Sequence, residues 1–162
     1  GLSYGANSRL SAMRTTGLFR ASAQTKNESA PQVLDLIVAE LSRLAQTPAS
    51  AEELKARKSV LIGSFGRELA TTDGLAGILG SLALYDLPLT EVGAYTGKVE
   101  AVTAGQVQAF AKQNLDPAKA SVIVAGDAKA FQAELKTRRP DLEVVPVSEL
   151  DLDSVTLKKA VK

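Results

Sequence analysis

The sequence predicts an α+β protein, with a mostly antiparallel sheet covered on one face by a layer of helices. Three observations carry this reading. Two segments with period-two alternation open the chain, a series of segments with helical period follows, and a short β-branched run, ASVIVA at residues 120–125, then returns to strand composition. Strands and helices segregated along the chain suit helices packed on one side of an antiparallel sheet, not a doubly wound parallel fold.

Residues 2–12 hold small polar side chains in weak alternation. Residues 17–26 set Leu18, Arg20, Ser22 and Gln24 against Phe19, Ala21, Ala23 and Thr25. They read as two antiparallel strands around a turn at residues 14–16. The period then changes, with Val33, Leu36, Ile37, Glu40, Leu41 and Leu44 recurring at three and four. Ser29-Ala-Pro-Gln32 offers a capping box with proline near the start, so a helix is predicted over about 31–46.

Thr47-Pro48 stops that helix. Ser50 then caps a second one, with Glu52 and Glu53 on the positive end of its dipole and a buried stripe of Leu54, Leu61, Ile62, Phe65 and Leu69. Residues 72–85, TDGLAGILGSLALY, are almost wholly apolar and predict a central buried helix. Gly74, Gly77 and Gly80 along it would let another backbone approach closely; a ligand groove lined by them is the alternative and has no other support. Asp86-Leu-Pro88 breaks this helix, and residues 90–102 resume a shorter one. Thr103-Ala-Gly-Gln106 is a second capping box, with Val102 and Val107 at staple positions, and predicts a helix through residue 114.

After Pro117, residues 120–125 read as a strand buried on both faces, closed by Gly126-Asp127. Residues 128–137 read as a helix and 142–147 as a last strand. No repeat or linker divides the chain, so residues 1–147 are expected to form one domain, with 148–162 a charged tail.

Composition excludes more than it names. With 19 Lys and Arg against 18 Asp and Glu, the formal charge is +1, too even to steer the chain toward nucleic acid. No run approaches the roughly 20 apolar residues of a membrane span. The chain has no His and no Cys, which removes thiol nucleophiles, disulfides, Ser-His pairs and zinc sites of the usual nitrogen and sulfur type.

The remaining candidates each have a plain reading. Gly126-Asp127-Ala128 lies where a phosphate could meet free amides, but a single glycine suits a strand-to-helix turn with Asp127 as cap. Glu52/Glu53 and Asp151/Asp153 could hold a hard cation or share a proton, yet helix-start charge and a solvated tail explain them more simply. Arg138-Arg139 reads as a solvated helix end. Tyr4, in GLSYGA between two glycines, stands among small side chains, and its phenol could donate to an oxygen carrying developing charge.

Several stretches, in order, resemble the pitrilysin/insulinase family of zinc metallopeptidases, whose members include mitochondrial-processing-peptidase-like proteins. They are GLSYGA, GLF followed by TKNE, EL-x-R-L before EEL-x-x-x-K, YDLP, VEAVTAGQVQAFA and VIVAGDAKAF. The closing ELDLDS is similar to the end of bacterial stand-alone members. The resemblance implies the later, non-metal unit, since the earlier unit carries the zinc motif H-x-x-E-H and this chain has no His. It further implies a processing-peptidase-like half that is N-terminally incomplete, with Gly1 a proteolytic or engineered end.

In that family the later unit supplies a tyrosine and a preceding arginine that hold substrate and stabilise the tetrahedral intermediate. The tyrosine corresponds to Tyr4, and the arginine would lie just before Gly1. The expected function is thus the accessory, substrate-binding part of a zinc-dependent peptidase, not catalytic alone. The expected partners are a metal-binding N-terminal unit or subunit holding the zinc and a peptide substrate, within a homo- or hetero-oligomer; a bacterial periplasm or envelope fits secreted relatives. The alternative is a non-catalytic structural or assembly subunit of the same family.

Overall fold

In the computed structural model, which describes residues 1–157 and 159, the chain opens with an antiparallel hairpin of β1 (Ser3–Ala12) and β2 (Gly17–Thr25). A 3-10 turn at Asn27–Ser29 leads into α1 (Ala30–Gln46), followed by α2 (Ala51–Leu69), α3 (Thr72–Leu84), α4 (Thr90–Ala101) and α5 (Ala104–Asn114). Two 3-10 turns, Pro117–Lys119 and Ala128–Ala130, precede α6 (Gln132–Arg138), and a further one spans Val147–Glu149. The fold is α+β, as the sequence predicts, but among the described residues its sheet has only these two strands.

The chain divides into two compact units. One comprises Ser8–Ala21 and Ile37–Ala120. Its helices start where the sequence signals them. Ser50 Oγ accepts the Glu53 N–H at 3.2 Å while the Glu53 carboxylate accepts the Ser50 N–H at 2.8 Å. Thr103 and Gln106 repeat this reciprocal box at the start of α5. Each box pairs two amides that a helix start would otherwise leave without partners.

Packing in this unit runs through rings and helix ends. Phe65 of α2 stacks on Tyr95 of α4 with ring centroids 4.1 Å apart. Lys58 Nζ donates to the Glu100 carbonyl at 2.8 Å, tying α2 to the last turn of α4. Arg43 of α1 pairs with Glu40 at 2.8 Å and reaches Glu53 of α2 at 3.8 Å. At the hairpin tip, Arg14 pairs with Asp86 beyond the end of α3.

Asp86 has φ 55° and stands just past that helix end. Its N–H donates to the Ala83 carbonyl at 3.3 Å, and the Leu87 N–H donates to the Leu82 carbonyl at 2.9 Å. Those two bonds form a Schellman ending, whose left-handed position usually takes glycine.

The other unit comprises Gly1–Asn7, Ser22–Leu36 and Ser121–Lys162. Pro31 and Val33 of α1 are buried in it, as are Phe131 and Leu135. Arg138 Nε donates to both oxygens of Asp35 at 3.0 and 2.8 Å and so joins α6 to α1. Residues 151–157 form turns, with Asp151 Oδ1 accepting the Asp153 N–H at 3.1 Å. Lys158, Ala160, Val161 and Lys162 of the expected charged tail lie outside the described residues.

Several expectations are corrected. Residues 120–125 do not form a strand, and instead of being buried on both faces Ile123 is 92% exposed. A strand requires a ladder partner, and none lies beside this run among the described residues. Residues 142–147 also form no strand: the Leu142 N–H turns back to the Arg139 carbonyl, Pro146 has no N–H to give, and Val147 opens a 3-10 turn.

The apolar helix α3 is not a buried centre. Only Leu82 of it is buried, and a Cβ at Gly77 or Gly80 would meet nothing within 4 Å. Gly74 alone is needed for a close approach, since a Cβ there would collide with the Glu68 carbonyl of the preceding helix end. The expected stripe of α2 is at most half-buried, and Leu61 is 38% exposed. Finally, Ser29 belongs to the 3-10 turn that runs directly into α1, with its N–H bonded to the Lys26 carbonyl at 3.0 Å.

The φ of Asp86 gives a ranking of substitutions. Asp86→Val, β-branched in the left-handed region, is expected to destabilise by about 1–2 kcal/mol. Asp86→Gly should equal or exceed the native stability, because the exposed pair it gives up is worth only about 0–1 kcal/mol. Chemical denaturation of the three proteins measures the order.

Candidate functional site

Tyr4 lies in β1 among Ser, Gly and Ala residues and is 96% exposed. The next residue of the strand on the same face is Ala6, which is too small to shield the ring. The backbone beneath it is fixed. Thr25 Oγ1 of β2 donates to the Leu2 carbonyl, and Ser22 Oγ donates to Asn7 Oδ1 at 3.1 Å across the hairpin. The Tyr4 hydroxyl bonds to no described residue, which leaves its O–H available to an outside acceptor. A single phenol can orient and polarise an acceptor oxygen but supplies neither nucleophile nor base for hydrolysis.

The Gly126 turn is occupied from within. Asn27 Oδ1 accepts the Asp127 N–H at 3.3 Å, and Asp127 Oδ1 caps the next turn by accepting the Lys129 N–H at 3.1 Å. A Cβ at Gly126 would meet Asn27 Oδ1 at 2.6 Å and Phe131 Cε1 at 3.2 Å. The Asp127 amide that a phosphate would use is therefore engaged, and a side chain at position 126 would push the Asn27 side chain off that amide. Asn27 is the residue that sequence reasoning missed. TKNE stood out as a polar cluster, but its partner lies 100 positions away.

The acidic pairs also have structural work. Hydrogen bonds from the Ser50 backbone N–H and then its hydroxyl hold the Glu53 carboxyl below its ordinary value of 4.5, with Arg43 adding to the effect. Asp151 spends an oxygen on its own turn. Arg138 is no free helix end: Asp35 first and Glu134 second raise its already high pKa. Glu40, by hydrogen bond and then charge, does the same for Arg43.

Among the described residues no group of three or more His, Cys, Asp or Glu could hold a metal ion, and no helix is long and apolar enough to cross a membrane. A hollow of about 370 Å³ lies over α2, lined by Ala51, Leu54, Lys55, Lys58, Ser59 and Glu100. Its Lys58 is already bonded to the Glu100 carbonyl, and among the described residues no buried side-chain polar atom lacks a partner.

Residues 1–61 match the family model described as the Peptidase M16 inactive domain. The match spans 61 of the chain's 162 residues. The match bears out the resemblance to the non-metal unit of the pitrilysin/insulinase peptidases over the hairpin, α1 and the first half of α2. Tyr4, Asn27 and the Ser50–Glu53 box all fall inside the M16 span; Gly126 and Arg138 fall outside it. No curated protein matches the chain.

Because the folded Glu53 pKa is depressed, its contribution to stability is complete above the ordinary value of 4.5 and is lost as pH falls through the lower folded value. Thermal melts in the acid range should show Glu53→Gln flattening part of the acid loss, since the Gln side-chain oxygen still accepts the Ser50 N–H. In the turn, Gly126→Ala and Asn27→Ala should each cost about 1 kcal/mol and the double variant hardly more than either, because both remove the same hydrogen bond. A double-mutant cycle reads this coupling.

Proposed function

We propose that the chain is the accessory, substrate-holding part of a zinc-dependent M16 peptidase, and that Tyr4 is its contact with the scissile region of a bound peptide. The observation that carries this reading is the 96% exposure of a tyrosine on a pinned strand within the M16 match. A strand held in place can present an unspent phenol as a donor to a substrate carbonyl.

The residues of this chain do not fit a resident zinc. It has no His or Cys, and its described carboxylates form no cluster. The metal is assigned to a partner unit, and the part played here is confined to binding and polarisation. The Tyr4 O–H donates to the peptide carbonyl oxygen, and the bond strengthens as negative charge develops on that oxygen.

Tyr4→Phe in the assembled peptidase is expected to lower kcat by about 10² to 10³ with little change in KM, the signature of a donor used chiefly in the transition state. At 96% exposure the substitution leaves packing intact, which circular dichroism checks. An unchanged kcat removes Tyr4 from the mechanism.

A structural or assembly role in the same family is the second reading. It is favoured by apolar side chains left in the open, such as Leu84 at 66% and Leu89 at 68% exposure. Assembly that persists with full turnover in the Tyr4→Phe variant selects it.

A further inference from the structure

Charge is unevenly placed along this chain. Residues 1–27 hold Arg9, Arg14, Arg20 and Lys26 and no Asp or Glu, whereas the remaining residues carry 15 Lys and Arg against 18 Asp and Glu. The hairpin is therefore a basic ribbon on a slightly acidic remainder. Arg14 pairs with Asp86, but Arg9 and Arg20 have no carboxylate partner among the described residues.

Two contacts fix the register of the hairpin. The Met13 N–H donates to the Thr16 carbonyl at 2.9 Å, and Ser22 Oγ donates to Asn7 Oδ1 at 3.1 Å. Five residues lie between these contacts on each strand, so no extra residue shifts the pairing. Counting from either contact sets Arg9 directly opposite Arg20, on the face that carries Asn7 and Ser22. Both arginines are exposed, while Phe19 and Ala21 on the other face of β2 are half-buried. Side chains directly opposite in a ladder leave their Cβ atoms about 4.5–5.5 Å apart, and like charges so placed destabilise it. Neither strand contains an acid to relieve the repulsion. A carboxylate set between the two would turn it into two attractions, because each guanidinium offers a planar fork of donors that matches a carboxylate.

We propose that the Arg9–Arg20 face of the hairpin docks an acidic peptide segment of another protein, one carboxylate of which sits between the two guanidiniums. Charge complementarity selects a short acidic peptide over a nucleic acid. Two guanidiniums neutralise few phosphates, and the acidic excess in the rest of the chain opposes a long polyanion. Tyr4 alternates to the opposite face of β1, so this surface stands apart from the role proposed for that residue.

Fluorescence anisotropy of a labelled hexaglutamate peptide, titrated with the full chain at low salt, tests this, with a labelled hexathymidylate as the comparison. Saturable binding of hexaglutamate that weakens as salt rises is expected. Arg9→Gln and Arg20→Gln should each weaken it by about threefold to tenfold. Arg57→Gln, the same loss of charge at an exposed position of α2, should leave it unchanged. At low salt both hairpin variants should melt no lower than the native chain, since each removes a like-charge repulsion, and hexaglutamate should raise the native Tm more than theirs. Absence of hexaglutamate binding, an equal loss from Arg57→Gln, tighter binding of hexathymidylate, or hairpin variants less stable than the native chain would each overturn the proposal.

Discussion

Every backbone amide and carbonyl taken from water needs a partner, and this chain meets that requirement in two unequal ways. Among the described residues its six α-helices satisfy themselves, with Ser50, Thr71 and Thr103 closing helix starts and the Asp86 turn closing an end. Extended segments cannot do this. The hairpin satisfies one side of each of its strands, and residues 121–125 satisfy neither side among the described residues. The distribution of order in the chain follows from this difference. Helices are complete where they stand, and extended backbone is complete only where a neighbour exists.

The same difference decides what could be read from residues alone. The start of α5 is legible because Thr103, Gln106 and their neighbours within one turn contain the whole cause of the helix start. The hairpin is legible because its turn brings alternating segments together locally. ASVIVA has strand composition, but composition states only a fitness for pairing and does not supply the partner. Likewise, the apolar sequence of α3 implied burial, whereas burial depends on what packs against it, and Gly77 and Gly80 face open space. Long-range contacts were hidden for a related reason: Asn27 with Asp127 and Arg138 with Asp35 each join residues about a hundred positions apart.

The candidate site divides along the same line. Tyr4 was visible because a large residue stands among small ones, and its exposure follows from that setting: no neighbour on the strand has the bulk to cover it. The Gly126 turn also stood out, but its glycine serves packing. Asn27 takes the Asp127 amide that would have given the turn a binding function. Glu53 and Asp151 are removed as ligands in the same manner, by bonds to their own turns. A polar group committed to its own fold has little left to offer a ligand. Tyr4 is the candidate whose hydrogen-bonding capacity is unspent.

Large apolar side chains, Leu84, Leu89 and Ile123 among them, stand in water at a cost in free energy that folding has not recovered. A partner that covers such surface binds the folded form in preference to the unfolded one, so it stabilises the fold as it assembles. Under the accessory role proposed for this chain, such a dependence would have a use. If stability depends on assembly, the strand that presents Tyr4 is most firmly held when the proposed partner is also present.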